Sequence, residues 1–554
     1  MTLSRRRSPR KQLIQCRRVD WDVLIVGGGP AGATSGALLK KYRPHLRVGL
    51  FERAAFPRYH IGESLIIEAN RILHDMDALE RVAAAGFLKK GGATFVWGED
   101  REPWSLLFDD GRRMRPDPDG MFRHTWHVER ERYDTLLLDI AREHGVEVMQ
   151  PCGVEDPIFE GGRVVGLRTG QGTLRARAVI DASGRAGVVA RHVGRRVFDP
   201  LLRNIAVFGY WRGAQLDPRY SGTWDLSRIV VLAIPNGWIW YIPLAPGLIS
   251  VGVVTSAAQL RGQDADAFYR AQLGTSPEVA AWLAGAELTS EVRIEADFNY
   301  CHDRLAGDGF LLAGDAGGFV DPLFSIGVFL AQSAGQLAAY FLGAALDGEV
   351  DEARAGAAYA HHLRSQYEAF RAMAYVFYGF NSTKESWWQE TRALMRAQAL
   401  PDDIDEREAF MALTFGFGVN LTLFREAISC FGQLAGPQLR EILLRGKPAP
   451  EPELRDYARR PTLPGAARPR LAVPHSVAPS VIPIEGTGRV MPLSRVELGG
   501  GGDREARFPR ALYLPDEVAA LLPRLDGATP ASALGDGPGV QHLLRALDGL
   551  GVLV

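Results

Sequence analysis

The chain has 554 residues, 64 Lys plus Arg against 65 Asp plus Glu, and 46% hydrophobic content. Its length suggests roughly three or four domains with well-formed cores, and the near-neutral balance excludes a global field that would recruit nucleic acid or acidic lipid. Four widely spaced cysteines, Cys16, Cys152, Cys301 and Cys430, form no metal-ligating or disulfide pattern, so no metal site is expected and a cytoplasmic setting is the default.

Residues 1–18 carry seven basic residues, among them Arg5-Arg6-Arg7. No apolar stretch follows them, so residues 1–19 read as a disordered basic arm and not as an export signal. No apolar run approaches the length of a membrane span.

The first strand, Asp22 to Val26, runs into Gly27-Gly28-Gly29-Pro30-Ala31-Gly32, and an amphipathic helix continues to about Tyr42. A second strand, Arg47 to Phe51, ends at Glu52-Arg53. Gly27 permits the tight turn, Gly29 lets backbone approach a pyrophosphate, and Gly32 lets helix and strand pack closely. Pro30 and Ala31 open a helix whose free N–H groups and positive dipole end face the diphosphate. Glu52 lies 20 residues beyond Gly32, where a carboxylate accepts hydrogen bonds from an adenosine ribose. These features in register predict a bound dinucleotide.

Two later segments choose between dinucleotides. Ala178-Val179-Ile180-Asp181-Ala182-Ser183-Gly184 is a strand entering a glycine turn, and Phe310-Leu311-Leu312-Ala313-Gly314-Asp315-Ala316 repeats that logic before a long helical run. They resemble the two further fingerprints of the flavin monooxygenase superfamily. That resemblance implies FAD, with Asp181 and Gly184 in the cofactor site, Asp315 on the ribityl chain and Arg130 on the adenosine side. Asp297 is a candidate covalent tether.

Gly237-Trp238-Ile239-Trp240-Tyr241-Ile242-Pro243 reads as a strand, so its two indoles share one face. Taken alone, they are sheet core. Two other segments keep them company: Phe56-Pro57-Arg58-Tyr59-His60-Ile61-Gly62-Glu63-Ser64 and Phe319-Val320-Asp321-Pro322-Leu323-Phe324-Ser325-Ile326-Gly327. Together the three resemble the flavin-dependent halogenases, in the branch acting on phenols, pyrroles and carrier-bound substrates, over roughly residues 20 to 440.

The resemblance implies an enzyme in which reduced FAD and O2 convert chloride or bromide to hypohalous acid. Halide would sit on backbone N–H groups near Ser325, Gly327 and Val328 at a helix start. Gly327, lacking Cβ, would let backbone and flavin approach. Trp238 and Trp240 would form a barrier between flavin and substrate. A lysine beyond the barrier would hold or carry the halogen; Lys90 is the first choice and its neighbour Lys89 the second. Burial would lower that lysine's pKa toward a reactive amine. Glu63 would orient the site or polarise the hypohalous acid, while His60 is equally a structural side chain.

The substrate implied is an electron-rich aromatic small molecule or its carrier-protein-bound form, in natural-product biosynthesis. A single dinucleotide fingerprint points to a separate flavin reductase as partner. An FAD-dependent hydroxylase or oxidoreductase of the same fold is the enzymatic alternative, and a flavin-binding regulatory subunit the non-enzymatic one. Neither nucleic acid nor membrane is an expected partner.

The expected architecture is α/β: a Rossmann-like FAD-binding fold with an inserted mixed or antiparallel β-sheet substrate domain over residues 20–327. A helical region, 328–446, would cap the substrate cavity, with Trp387 and Trp388 as candidate lining. Nine prolines between Pro448 and Pro483 mark residues 447–509 as a Pro/Gly-rich linker. Residues 510–554 read as a small winged-helix-like module without a basic recognition face, suited to docking on the catalytic body or on a carrier protein.

Overall fold

The computed structural model describes residues 20–98, 101–109, 121, 123–200, 202–296, 299–379, 467–471, 475–484, 486–498, 511–514, 516–535, 538–549 and 553. The basic arm, Asp297, Trp387, Trp388, and residues 380–466 of the helical and linker regions lie outside these.

Two sheets organise the described residues. The first places Trp21–Val26 between Gly172–Asp181 and Val48–Phe51, with Phe310–Leu312 and Glu147–Met149 further out, all in parallel register. Every residue of Trp21–Val26 but Asp22 is buried, the near-continuous apolar run expected of a strand covered on both faces. The Pro30–Tyr42 helix lies across this sheet against the Gly327–Leu346 helix. Small residues let them meet: a Cβ on Gly335 would stand 2.5 Å from Ala31 O. This is the predicted Rossmann-like framework.

The second sheet has nine strands. Its order runs Glu287–Leu288, Asn204–Arg212, Leu248–Ser256, Gly237–Ala245, Ser227–Ile234, Leu88–Val96, Trp104–Leu107. Most pairs are antiparallel, but Ser227–Ile234 pairs Leu88–Val96 in parallel, so the inserted sheet is mixed. Strand alternation decides which residues reach the centre. Trp238, Trp240 and Ile242 join the large core shared with the first sheet, while Ile239 and Tyr241 face a second core under the helices Ala265–Leu273 and Pro277–Trp282.

The Gly327–Leu346 helix is long and apolar enough to cross a membrane, with a mean hydropathy of 1.2, and 89% of that stretch is buried inside the fold. The expectation that no apolar run reaches such a length therefore fails. The helix is apolar all round because protein, in place of lipid, surrounds it.

Residues 475–498, inside the expected linker, form two ten-residue strands, His475–Ile484 and Arg489–Leu498, that pair with Ala511–Leu514. Pro479 and Pro483 are tolerated because their strand is the edge of this sheet. The C-terminal unit thus begins before residue 510, its strands preceding short helices and a final helix, Pro538–Gly549. It docks on the body through Arg354, which pairs with Asp516 at 3.0 Å and reaches the carbonyls of Ser480 and Leu493 at 3.0 and 2.7 Å. Arg43 bonds Gly488 O at 2.8 Å from the other side.

Candidate active site

The glycine turn after Trp21–Val26 is shaped by close approach. A Cβ on Gly27, whose φ is +103°, would lie 2.3 Å from Ala182 O, and one on Gly32 would lie 1.9 Å from Gly27 O. Pro30 opens the helix and Gly29 caps it without a side chain, leaving its first amides to a ligand. Glu52 is buried; Oε2 accepts Gly28 N at 2.7 Å and Oε1 accepts Ala54 N at 2.9 Å. It orders the loop and keeps lone pairs for a ribose. Arg53 is exposed.

A residue left without a role above enters here. Arg58 leans over this turn, with NH2 3.3 Å from a Cβ on Gly29, NH1 3.3 Å from Asp134 Oδ2, and Nε 4.0 Å from Glu52. Its buried NH1 has no hydrogen-bond partner. The signal was present as the arginine of the Phe56–Ser64 segment.

Three cofactor assignments divide. Asp315 is half-buried in the helical turn Gly314–Ala316, and its carboxylate makes no hydrogen bond to the described protein. Desolvation pushes it up to about 6, with Arg130 pulling it back. It is open to hydroxyl donors. Asp181 is not: its oxygens accept Ser183 N and Oγ, Val189 N and Ala190 N at 3.1, 2.6, 2.7 and 2.9 Å. Four acceptor sites are filled by the chain itself, so Asp181 builds the loop that Gly184 turns at φ +63°, and the cofactor assignment is corrected to a scaffold role. Arg130 is likewise engaged. It grips Asp134 with two bonds of 2.8 and 3.0 Å and donates to Ile61 O at 2.6 Å, bracing the Phe56–Ser64 loop where an adenosine contact was expected.

That loop carries the chemistry inward. Gly62, at φ +102°, lies between Arg130 and Val328; a Cβ there would be 3.0 Å from Arg130 NH1 and 3.9 Å from Val328 Cγ2. Glu63 follows, 4% exposed, with Tyr210 Oη donating to its Oε1 at 2.5 Å. Burial pushes Glu63 up to about 7, and the Tyr210 and Ser250 hydroxyls pull it partway back.

Lys89 and Lys90 sit on the strand Leu88–Val96 and point to opposite faces: Lys89 is exposed, Lys90 is 2% exposed. Lys90 Nζ donates to Leu65 O at 2.7 Å and stands 5.8 Å from the Phe108 ring. Desolvation alone brings it down to about 7. Among the described residues, Glu63 and Ser64, which precede Leu65 in the chain, and His127 hold buried polar atoms without hydrogen-bond partners: Glu63 Oε2, Ser64 Oγ and both ring nitrogens of His127. Ser64 bridges His127 across strands, and His127 pairs Leu88, two residues from Lys90 on the same face. Burial first and the Lys90 charge second hold His127 well below its ordinary range. Unpaired buried polar atoms are costly, so four of them on Glu63, Ser64 and the bridged His127 mark a region that leaves polar groups over.

Trp238 and Trp240 lie side by side, with ring centroids 6.2 Å apart. Trp238 Nε1 donates to Tyr378 Oη at 2.7 Å, and Trp240 Nε1 to Ser250 Oγ at 3.2 Å. Gly252 makes room for Trp240, since a Cβ would stand 2.2 Å from its ring.

The Phe319–Gly327 segment turns through Pro322–Phe324 and reaches Ser325 at φ +61° before the helix starts. Ser325 N donates to Pro322 O at 3.1 Å, so its amide is spent on the turn and leaves the expected anion set. Gly327 and Val328 open the helix, which has no side-chain cap. The space freed at Gly327 holds the Phe319 ring, 2.7 Å from a would-be Cβ, and is not room for flavin.

The profile of the tryptophan halogenase family matches residues 22–116 and 105–426. A tryptophan 2-halogenase of Chondromyces crocatus is 38% identical over 385 residues, spanning 67% of this chain and 70% of that protein. A 1H-pyrrole-2-carbonyl-[peptidyl-carrier protein] chlorinase of Pseudomonas fluorescens is 30% identical over 341 residues, 58% of this chain and 75% of its own. Among solved structures, the flavin-dependent halogenase CmlS superposes with a TM-score of 0.65 at 28% identity, covering 97% of this chain and 96% of its own. The myxobacterial chondrochloren halogenase CndH does so with a TM-score of 0.59 at 31% identity, covering 72% and 97%.

Proposed function

This chain belongs to the flavin-dependent halogenase family, and on that premise we propose how its own residues divide the work. The enzyme halogenates an aromatic or pyrrole-type substrate using FADH2, O2 and halide. When bound, FADH2 would supply two of the four electrons that O2 takes up, and chloride or bromide the other two as it becomes hypohalous acid. The residues present fit FAD: a glycine cradle that a Cβ on Gly27 or Gly32 would fill, an Arg58 guanidinium leaning over it and an open Asp315 carboxylate.

Gly27, Gly29, Pro30, Ala31 and Gly32 receive the diphosphate, with Arg58 as counter-charge, and Asp315 accepts ribityl hydroxyls. The first-turn amides of Gly327 and Val328 hold halide. Trp238 and Trp240 keep the substrate from the flavin. Lys90, as the free amine, takes the halogen: the N–halogen bond forms as the halogen–oxygen bond breaks, and water leaves with the amine proton. A ring carbon of the substrate then takes the halogen as the nitrogen–halogen bond breaks, and the ring proton it loses restores the Lys90 amine. Glu63, near half-ionised at neutral pH, polarises the hypohalous acid.

The substrate is an electron-rich phenol or pyrrole, free or carrier-tethered, in a biosynthetic route of secondary metabolism. One dinucleotide fingerprint leaves reduction to a separate flavin reductase, and the cysteine usage suits a cytoplasmic setting.

One observation supports the assignment: a buried Lys90 amine with no counter-charge among the described residues, near a His127 ring whose nitrogens have no hydrogen-bond partner there. With reduced FAD, O2 and bromide, Lys90→Ala lowers brominated product about 10³-fold, while FAD still binds and is still reoxidised. Undiminished bromination removes Lys90 from its role, and hydroxylated product without bromine removes the halogenase reading.

A further inference from the structure

The turn leading to Gly327 carries an acidic side chain given no role so far. Asp321 is 1% exposed. Its carboxylate accepts Leu323 N at 3.0 Å and the Tyr378 hydroxyl at 3.2 and 3.3 Å. Tyr378 Oη in turn accepts Trp238 Nε1 at 2.7 Å and Asn204 Nδ2 at 3.4 Å. Among the described residues Tyr378 is the titratable group facing Asp321, and Asn204 and Trp238 are neutral. Among the described residues no cation compensates this carboxyl.

The carboxyl and the helix start belong to one folded-back stretch. Phe319, two residues before Asp321, fills the space over Gly327. Phe324, three residues after it, packs at 5.5 Å on Phe377, the neighbour of Tyr378. An anion at the first turn and a buried carboxylate on the same loop repel through a medium that screens poorly. A carboxylic acid removes that repulsion.

We propose that Asp321 and Tyr378 are positioning residues that tie the Trp238 indole to the halide loop, and that halide binds there together with a proton on Asp321. The proposal rests on assigning halide to the Gly327–Val328 turn. Burial already pushes the Asp321 carboxyl up to about 6, against the pull of Leu323 N, Tyr378 and Asn204. Halide shifts it further, and the coupling is reciprocal: the proton raises halide affinity by the factor by which halide raises proton affinity. Below about pH 6 the site is pre-protonated and halide affinity is flat; above it each halide must draw a proton.

The test titrates the full-length, FAD-loaded protein with bromide from pH 5 to 8, following the flavin absorption spectrum, with proton uptake read by an indicator dye. Wild type weakens by up to about tenfold per pH unit above the midpoint and takes up close to one proton per bromide at pH 7. Asp321→Asn binds bromide with an affinity independent of pH and takes up none. Tyr378→Phe keeps the proton uptake, moves the midpoint upward because the carboxylate has lost a donor, and changes the Trp238 emission. A flat wild-type profile, or proton uptake surviving in Asp321→Asn, overturns the proposal. Gly327→Ala separates the two layers. If it leaves bromide affinity unchanged, the halide site itself is misplaced and the proposal falls with it. If it weakens bromide while Asp321→Asn behaves as wild type, only the role of Asp321 fails.

Discussion

The loop after Gly172–Asp181 and the pocket around Lys90 treat buried polar groups in opposite ways. Asp181 fills four acceptor sites with amides and a hydroxyl of its own loop. By contrast, in the Glu63–Ser64 segment and the bridged His127, Glu63 Oε2, Ser64 Oγ and both His127 nitrogens are buried without a hydrogen-bond partner among the described residues. The first arrangement stabilises the chain and leaves nothing over for chemistry. The second costs stability and leaves a set of donors and acceptors waiting for something that is not protein. Satisfaction of hydrogen bonds thus separates scaffold from site better than residue type does, since both regions hold a buried carboxylate.

The comparison breaks most visibly at its scaffold side. Asp181→Ala strands three amides and a hydroxyl at once and is expected to cost about 4 kcal/mol, measured by urea unfolding. A loss below about 1 kcal/mol would mean that the loop finds other partners. At the site side the sign reverses. Lys90 is held near 7, below its ordinary 10.5. Stability from the uncharged amine is full above the unfolded value and is lost as pH falls through 10.5 toward 7. Lys90→Met is therefore expected to gain about 2 kcal/mol at pH 7, with no gain above about pH 10.5. Unfolding curves at two pH values decide it.

The same amine sets a rate profile. Its free form accumulates as pH rises to about 7, so single-turnover halogen transfer from preformed oxidant rises up to tenfold per unit below that value and levels off above it. Glu63 titrates in the same window, and a variant separates the two groups. Glu63→Gln keeps the rise if Lys90 governs it, and a flat variant profile would transfer the role to Glu63. The smallest effect is expected at Arg58, where a single charge-assisted contact is lost. Arg58→Ala should weaken FAD about tenfold in a fluorescence titration without unfolding the chain.

Local pattern made the cofactor framework legible. Gly27 and Gly32 could be placed because turn geometry and helix–strand contact depend on neighbours a few residues away. The shared face of Trp238 and Trp240 followed from strand alternation. Asp181 was misread because its four donors lie in the turn that follows it, and a fingerprint does not say which way a carboxylate faces. The hairpin at 475–498 was hidden by prolines that an edge strand accepts.

The sequence by itself determined a dinucleotide fold and a flavin frame, and its resemblance to the halogenases offered Lys90, with Lys89 second, as the candidate halogen carrier. Only the tertiary structure decided that Lys90 is the buried one. Strand register turns Lys90 inward with Leu88 and leaves Lys89 exposed, and Leu65, Phe108 and His127 arrive from other segments to strip its water. The same holds for Asp321, an ordinary acid in the sequence until Tyr378 and Trp238 close over it. Dihedral preference and periodicity are properties of a short stretch of chain. Desolvation belongs to whatever the fold brings around a charge.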